Sequence, residues 1–292
     1  MNKVNTIIIG AGRSGTTSLY AYMDHHPEIN FSITKELHYF SIDDLYGRGE
    51  KYFHSLFKKV DNKIVATADT YLLIDKEAPQ KIKNYNPDIK IIVMLREPVA
   101  RSYSNFNYSK NFGHEDDITF LQSLEKEKSR LHSNNIVDRN NLCHFYGSLY
   151  HEHLTFWLQF FPRDQFIILK LDDLKNDPEG FYKDLCNSLN ISYHPFTANS
   201  AKFNAVSGVK NKWLQQLLLN RESGTRKFIS FILRPFRNLI IRSGVIDKVY
   251  SLNKKEVAIP QLSETEKEEV KKYFENDLAL LNKEFNINFN EP

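Results

Sequence analysis

The chain has 292 residues, 41% of them hydrophobic and 26% charged, with a formal net charge of +3. That balance supports one sizeable buried core, and so small a positive excess excludes nucleic acid as an expected partner. No apolar run approaches the ~20 residues of a membrane span and no signal peptide precedes the first strand-like run, so with Met1 as the start the expectation is a protein kept in the cytoplasm.

Thr6-Ile7-Ile8-Ile9 is a β-branched strand that breaks into Gly10-Ala11-Gly12-Arg13-Ser14-Gly15-Thr16-Thr17 and resumes as the helix-like Ser18-Leu19-Tyr20-Ala21-Tyr22-Met23. Strand, glycine turn and helix start make a phosphate cradle, because glycines let the backbone approach and free N–H groups at the helix N-terminus point at the anion. Arg13 adds fixed charge, and Thr16 and Thr17 add hydroxyls. The turn departs from G-x-x-x-x-G-K-[ST], since Thr16 stands where the lysine belongs. It matches a dinucleotide fingerprint only superficially, since that pattern expects an acid about 20 residues on and Glu28 falls near there only loosely.

Further strands are expected at Glu28 to Phe31, Lys63 to Ala68, Ile89 to Leu95 and Gln165 to Leu169, with helical segments between them. The pattern predicts an α/β fold, a P-loop-like central parallel sheet with helices on both faces. A single domain over 1–292 is expected. Residues 1–190 would hold the sheet, and 191–292 would form a mostly helical part, free of strands, covering the site.

Arg96-Glu97-Pro98 follows the strongest strand, where ligands of open α/β sheets bind. Pro98 suits a first helical turn and Ser104 falls one to two turns in, so Arg96 and Ser104 are expected to grip a second phosphate. An ion pair of Arg96 with Glu97 is the alternative. Cradles at neighbouring strand ends imply a ligand with two separated phosphates.

The segments Gly12 to Thr17 and Leu95 to Ser104 resemble the 5′-phosphosulfate loop and the 3′-phosphate motif of sulfotransferases that use 3′-phosphoadenosine 5′-phosphosulfate (PAPS). Lys35-Glu36-Leu37-His38-Tyr39-Phe40 is similar to a segment of the heparan-sulfate-type and bacterial carbohydrate enzymes. Gly147 to Tyr150, Leu154, Trp157, Phe160 to Pro162 and Ile167 to Leu174 resemble that family's later helix and strand. The resemblance implies sulfuryl transfer from PAPS to a glycan, glycolipid or small-molecule acceptor. Gly12, Arg13, Ser14, Gly15, Thr16, Thr17, Arg96, Ser104, Ser207, Gly208 and Lys210 would hold the donor, and no metal would be needed.

Under this resemblance Glu36 is the general base, and Leu37, Tyr39 and Phe40 are expected to give its carboxylate an apolar surrounding. Arg13 stabilises charge on the leaving group, since a guanidinium does not give up its proton. His38 orients Glu36 or the acceptor. The alternatives are a surface ion pair of Glu36 with Lys35 and a packed histidine at His38. Ala66-Thr67-Ala68-Asp69-Thr70-Tyr71 lacks the lysine and proline of the heparan-type enzymes, so another cation substitutes or Asp69 has a role of its own, such as binding acceptor.

Acceptor choice is expected to lie in loops such as Ser41 to Gly49 and Asn107 to Asn141. Residues 226–248 form a basic, apolar stretch that either packs on the domain or makes peripheral membrane contact. Cys143 and Cys186 stand in no metal or redox spacing. A P-loop kinase or NTPase and a non-catalytic nucleotide-binding partner protein are the competing classes.

Overall fold

All five expected strands form, the central ones as short runs of β-branched and aliphatic residues buried on both faces. They are β1 (Thr6–Gly10), β2 (Ile29–Phe31), β3 (Ile64–Ala68), β4 (Lys90–Leu95) and β5 (Phe166–Lys170). The computed structural model describes residues 3–58, 63–115, 118–133, 135–195, 207–209, 254–256 and 260–289. Within them the strands lie in the order β2-β3-β1-β4-β5, every pairing parallel.

The helices are α1 (Thr16–Asp24), α2 (Asp43–Tyr46), α3 (Gly49–His54), α4 (Ala78–Tyr85), α5 (Pro98–Phe112), α6 (Phe120–Arg130), α7 (Ile136–Leu142), α8 (Tyr150–Leu158), α9 (Leu171–Asn176), α10 (Pro178–Ser188), α11 (Glu264–Lys271) and α12 (Glu275–Phe285). Strand side chains alternate between two cores, as a period of two requires. Ile7, Ile9, Val65, Ile91 and Val93 pack with Phe53, Ile82, Leu154, Trp157 and Leu281 from α3, α4, α8 and α12. Ile8, Ala66, Ala68, Ile92 and Met94 pack on the other face with Leu19 and Met23 of α1 and Phe181 and Leu185 of α10. Helices therefore cover both faces of the sheet.

The chain runs outward from β1 in both directions, with β3 on one side and β4 on the other. Neighbouring strands whose connections leave in opposite directions open a crevice at their carboxyl ends. The loop after β1 and Arg96 after β4 both emerge there. α5 begins sharply because the Glu97 carboxylate accepts from Val99 N (2.9 Å) and Ala100 N (2.6 Å) with Pro98 in the first turn, and it ends at Gly113 with φ 76°.

Two expectations change. Ser41 to Gly49 and Asn107 to Asn141 are largely helical, holding α2, the second half of α5, α6 and α7. Strands also recur after Leu189, since β6 (Ser207–Val209) pairs antiparallel with β7 (Lys254–Glu256) and lies against α5. Each is three residues long and polar or glycine-bearing, and the pairing joins distant segments, so no local pattern announces it. Lys210 and residues 226–248 lie outside the described residues. Among the described residues no helix is long and apolar enough to cross a membrane.

Ile92 is wholly buried in the central strand. Ile92→Ala is expected to cost roughly 2–5 kcal/mol, read as a lower midpoint in urea unfolding.

Candidate active site

The loop after β1 is bent by two left-handed residues, Arg13 at φ 70° and Gly15 at φ 87°. Only glycine fits the second, because a Cβ there would meet Leu171 Cδ1 at 2.6 Å and Met94 Cε at 3.2 Å. Ala11 N–H donates to Met94 O (2.8 Å) and Ser14 N–H to Ala11 O (3.2 Å), whereas the N–H groups of Gly12, Arg13, Gly15, Thr16 and Thr17 meet no backbone acceptor among the described residues. The Ser14 hydroxyl is buried beside the Tyr150 hydroxyl and completes no hydrogen bond of normal geometry. Unmet donors around a left-handed bend and a helix N-terminus make an anion-binding concavity.

Positive charge gathers at the same point. Arg13 Nε donates to Ser104 Oγ (3.4 Å), its guanidinium stacks 4.7 Å from the Tyr108 ring centroid, and Arg96 Nη1 donates to Arg13 O (3.3 Å). Arg101 is 3% exposed and donates from Nε to Gly12 O (2.9 Å). Burial lowers the pKa of all three guanidinium groups, and each is lowered further by a neighbouring arginine in the case of Arg13 and Arg101. They stay protonated, since a guanidinium titrates far above neutrality. None of the three forms an ion pair with a carboxylate among the described residues, and Glu97 is engaged in capping α5. The two cradles read from the sequence meet at Arg13. Ser104 contacts Arg13 and not Arg96.

Glu36 reaches this crevice from β2, which is not β1's neighbour because β3 lies between them. The chain after β2 crosses the end of β3, where Glu36 N–H donates to Ala68 O (3.0 Å). The Glu36 carboxylate accepts from Thr70 N (2.7 Å) and Thr70 Oγ1 (3.2 and 3.3 Å) and contacts Lys35 Nζ. Thr70 also abuts the loop after β1, where a Cβ at Gly12 would lie 3.7 Å from Thr70 Oγ1. The expected apolar surrounding is not what forms. Tyr39 and Phe40 turn into the core, where the Tyr39 ring stacks on Phe53 at 4.1 Å, and the groups in contact with the carboxylate are polar.

His38 Nδ1 lies 3.1 Å from Asp69 Oδ1, while Ser41 Oγ donates to Asp69 Oδ2 (2.5 Å) and Tyr71 N–H to Asp69 Oδ1 (3.0 Å). Asp69 is buried, with Oδ1 engaged by His38 and Tyr71 and Oδ2 by Ser41. A carboxylate on Nδ1 places the proton there and leaves Nε2 as the free nitrogen. Burial pulls the His38 pKa down, but the hydrogen bond and charge of Asp69, with Glu36 added, outweigh it and the net shift is upward. Ligand atoms of Glu36, His38 and Asp69 lie within 4.8 Å of one another, a spacing a metal ion can bridge.

Among the described residues, besides Asn190 and Asn286, the non-glycine residues with positive φ are Arg13, Glu36 (φ 61°) and His38 (φ 55°). Asparagine tolerates that region, whereas the other three are strained and all lie in this crevice. Of the other expected donor residues, the backbone of Ser207 and Gly208 runs in β6 beside α5. Sequence reasoning missed Arg101 and Thr70. The available signal for Arg101 was a charged residue on the buried face of α5.

The sulfotransferase domain family matches residues 3–230. The chain belongs to the sulfotransferase family. It is 29% identical over 175 residues to heparan sulfate glucosamine 3-O-sulfotransferase 6 of Homo sapiens, covering 60% of this chain and 48% of the relative. It is 30% identical to heparan sulfate glucosamine 3-O-sulfotransferase 3A1 of Mus musculus, covering 60% and 42%. The chain thus spans about half the length of the curated relatives it matches. A sulfotransferase from Alicyclobacillus acidocaldarius shares the fold with a TM-score of 0.69 and 21% identity, covering 99% of this chain and 98% of that one.

In this sulfotransferase Asp69→Asn removes the charge that raises His38. The imidazole titration midpoint of His38, followed by NMR, is expected to move to lower pH; an unmoved midpoint contradicts the assignment of Asp69 as its partner.

Proposed function

We propose that this sulfotransferase moves a sulfuryl group from PAPS to a hydroxyl of a carbohydrate or glycoconjugate acceptor. The observation that carries the reading is the concentration of unmet donors at the β1–β4 crevice, with three guanidinium groups, Arg101 buried and Arg13 and Arg96 partly buried, and a carboxylate–histidine pair at the adjoining end of β3. A buried cation without a carboxylate is costly unless an anion completes it, so a ligand rich in phosphate oxygens fits what the chain leaves open. When bound, the donor supplies an activated sulfuryl group on a phosphate leaving group.

The residues divide the work by chemistry. The N–H groups of Gly12, Arg13, Gly15, Thr16 and Thr17, with the Ser14 hydroxyl, hold the 5′ end of the donor. Arg13 offers fixed positive charge where charge develops on the leaving oxygen, and a preorganised donor of this kind is usually the largest catalytic contribution. Arg96 and Ser104, with Ser207, Gly208 and Lys210, hold the 3′-phosphate. Glu36 takes the proton of the acceptor hydroxyl, and its bonds from Thr70 fix the carboxylate beside the loop. His38, locked by Asp69, presents Nε2 to orient the acceptor. The glycan class rests on the named relatives, which act on heparan sulfate glucosamine.

Adenosine 3′,5′-bisphosphate is expected to raise the protein's thermal unfolding midpoint in the presence of a chelator, while ATP with Mg²⁺ does little. The reverse order would move the protein to the kinase or NTPase class. Glu36→Gln is expected to keep bisphosphate binding and to lower turnover of a competent glycan acceptor at least about 100-fold; unchanged turnover would remove Glu36 as the base.

A further inference from the structure

Arg101 is a charged side chain placed where an apolar one belongs. It sits one turn into α5, is 3% exposed, and sends its donors to two segments of chain that do not otherwise meet through it. Nε donates to Gly12 O at 2.9 Å, in the phosphate loop. Nη1 donates to His144 O at 2.9 Å and to Ser148 Oγ at 3.4 Å, in the turn between α7 and α8. The turn is shaped for this approach, because a Cβ at Gly147 would lie 2.5 Å from Nη1.

That turn is itself held from several sides. The buried Glu127 carboxylate of α6 accepts from Phe145 N at 2.9 Å and also from Tyr146 N. The His144 imidazole lies between Asn105 Nδ2 (3.0 Å) and Glu115 Oε2 (3.0 Å), and Arg130 holds Glu115 through both oxygens. The segment from α6 to the turn is therefore a fixed frame, and Arg101 carries that rigidity to Gly12.

The consequence for the site follows from peptide planarity. In a trans peptide the carbonyl of one residue and the N–H of the next point in opposite directions. Drawing the Gly12 carbonyl toward α5 turns the Arg13 N–H the other way, toward the mouth of the loop, and fixes the bend from which the Arg13 side chain leaves at φ 70°. We infer that Arg101 is a positioning residue that aims the Arg13 N–H and guanidinium at the donor through its bond to the Gly12 carbonyl. This rests on the proposed use of PAPS.

The test measures binding of adenosine 3′,5′-bisphosphate by calorimetry, with the unfolding midpoint recorded for each variant. Arg101→Lys keeps the charge and loses the fork that joins Gly12 to His144. Gly147→Ala keeps Arg101 whole and pushes its guanidinium aside, so it carries the test if the lysine variant fails to fold. Each is expected to weaken binding by about tenfold or more in the folded protein, the scale of a lost charge-assisted hydrogen bond. Wild-type affinity in the folded variants, with only a lowered unfolding midpoint, would leave Arg101 a structural role and overturn the inference. Absence of binding by the wild-type protein would instead remove the PAPS reading, and this inference with it.

Discussion

Three guanidinium groups gathered at the end of one sheet, Arg101 buried and Arg13 and Arg96 partly buried, without a carboxylate to pair them among the described residues, set the terms for the rest of this site. Desolvating an ion costs several kcal/mol even after relaxation, so a protein tolerates such a cluster only where the backbone holds it and a ligand completes it. Here the holding is done by carbonyls and hydroxyls. Arg101 is spent on Gly12 O and His144 O, Arg96 on Arg13 O, and Arg13 lies against Ser104 and the Tyr108 ring. These neutral acceptors orient the cations without neutralising them, which is what an anion site requires.

The acids of the crevice are kept apart from that charge by contacts of their own. Glu97 caps α5, Glu36 is bound by Thr70 and Lys35, and Asp69 is filled by His38, Ser41 and Tyr71. Had any of them turned onto an arginine, the cradle would have closed on itself. The left-handed backbone at Arg13, Glu36 and His38 is part of the same arrangement, since it lets closely spaced residues leave the chain toward one place.

The helical segment between α5 and α8 connects the two halves of the chemistry. Its apolar side, with Phe120 and Phe145, packs with Phe106 of α5 against Val270 of α11 and Phe274 at the start of α12. Its polar interior runs from Glu115 and Arg130 through His144 to Arg101 and the phosphate loop. A change in this segment therefore reaches the loop after β1 through bonded, buried groups.

The sequence by itself determined the five strands, the glycine loop, the capped start of α5 and the family, because each is written in short contiguous patterns of β-branching, glycine, proline and charge. It also supplied Arg13, Glu36, His38, Arg96 and Ser104 as candidates. Only the tertiary structure decided what those side chains touch. Asp69, a departure from the pattern in sequence, became the partner of His38 because the end of β3 lies under the turn after β2. The apolar shell expected around Glu36 failed because Tyr39 and Phe40 found a deeper core against Phe53. Arg101 and Thr70 acquired their places through contacts between segments far apart in the chain, and the β6–β7 pairing is of the same kind. Local patterns encode elements; the bonds that cross between elements depend on how the sheet orders its strands, and no local pattern carries that order.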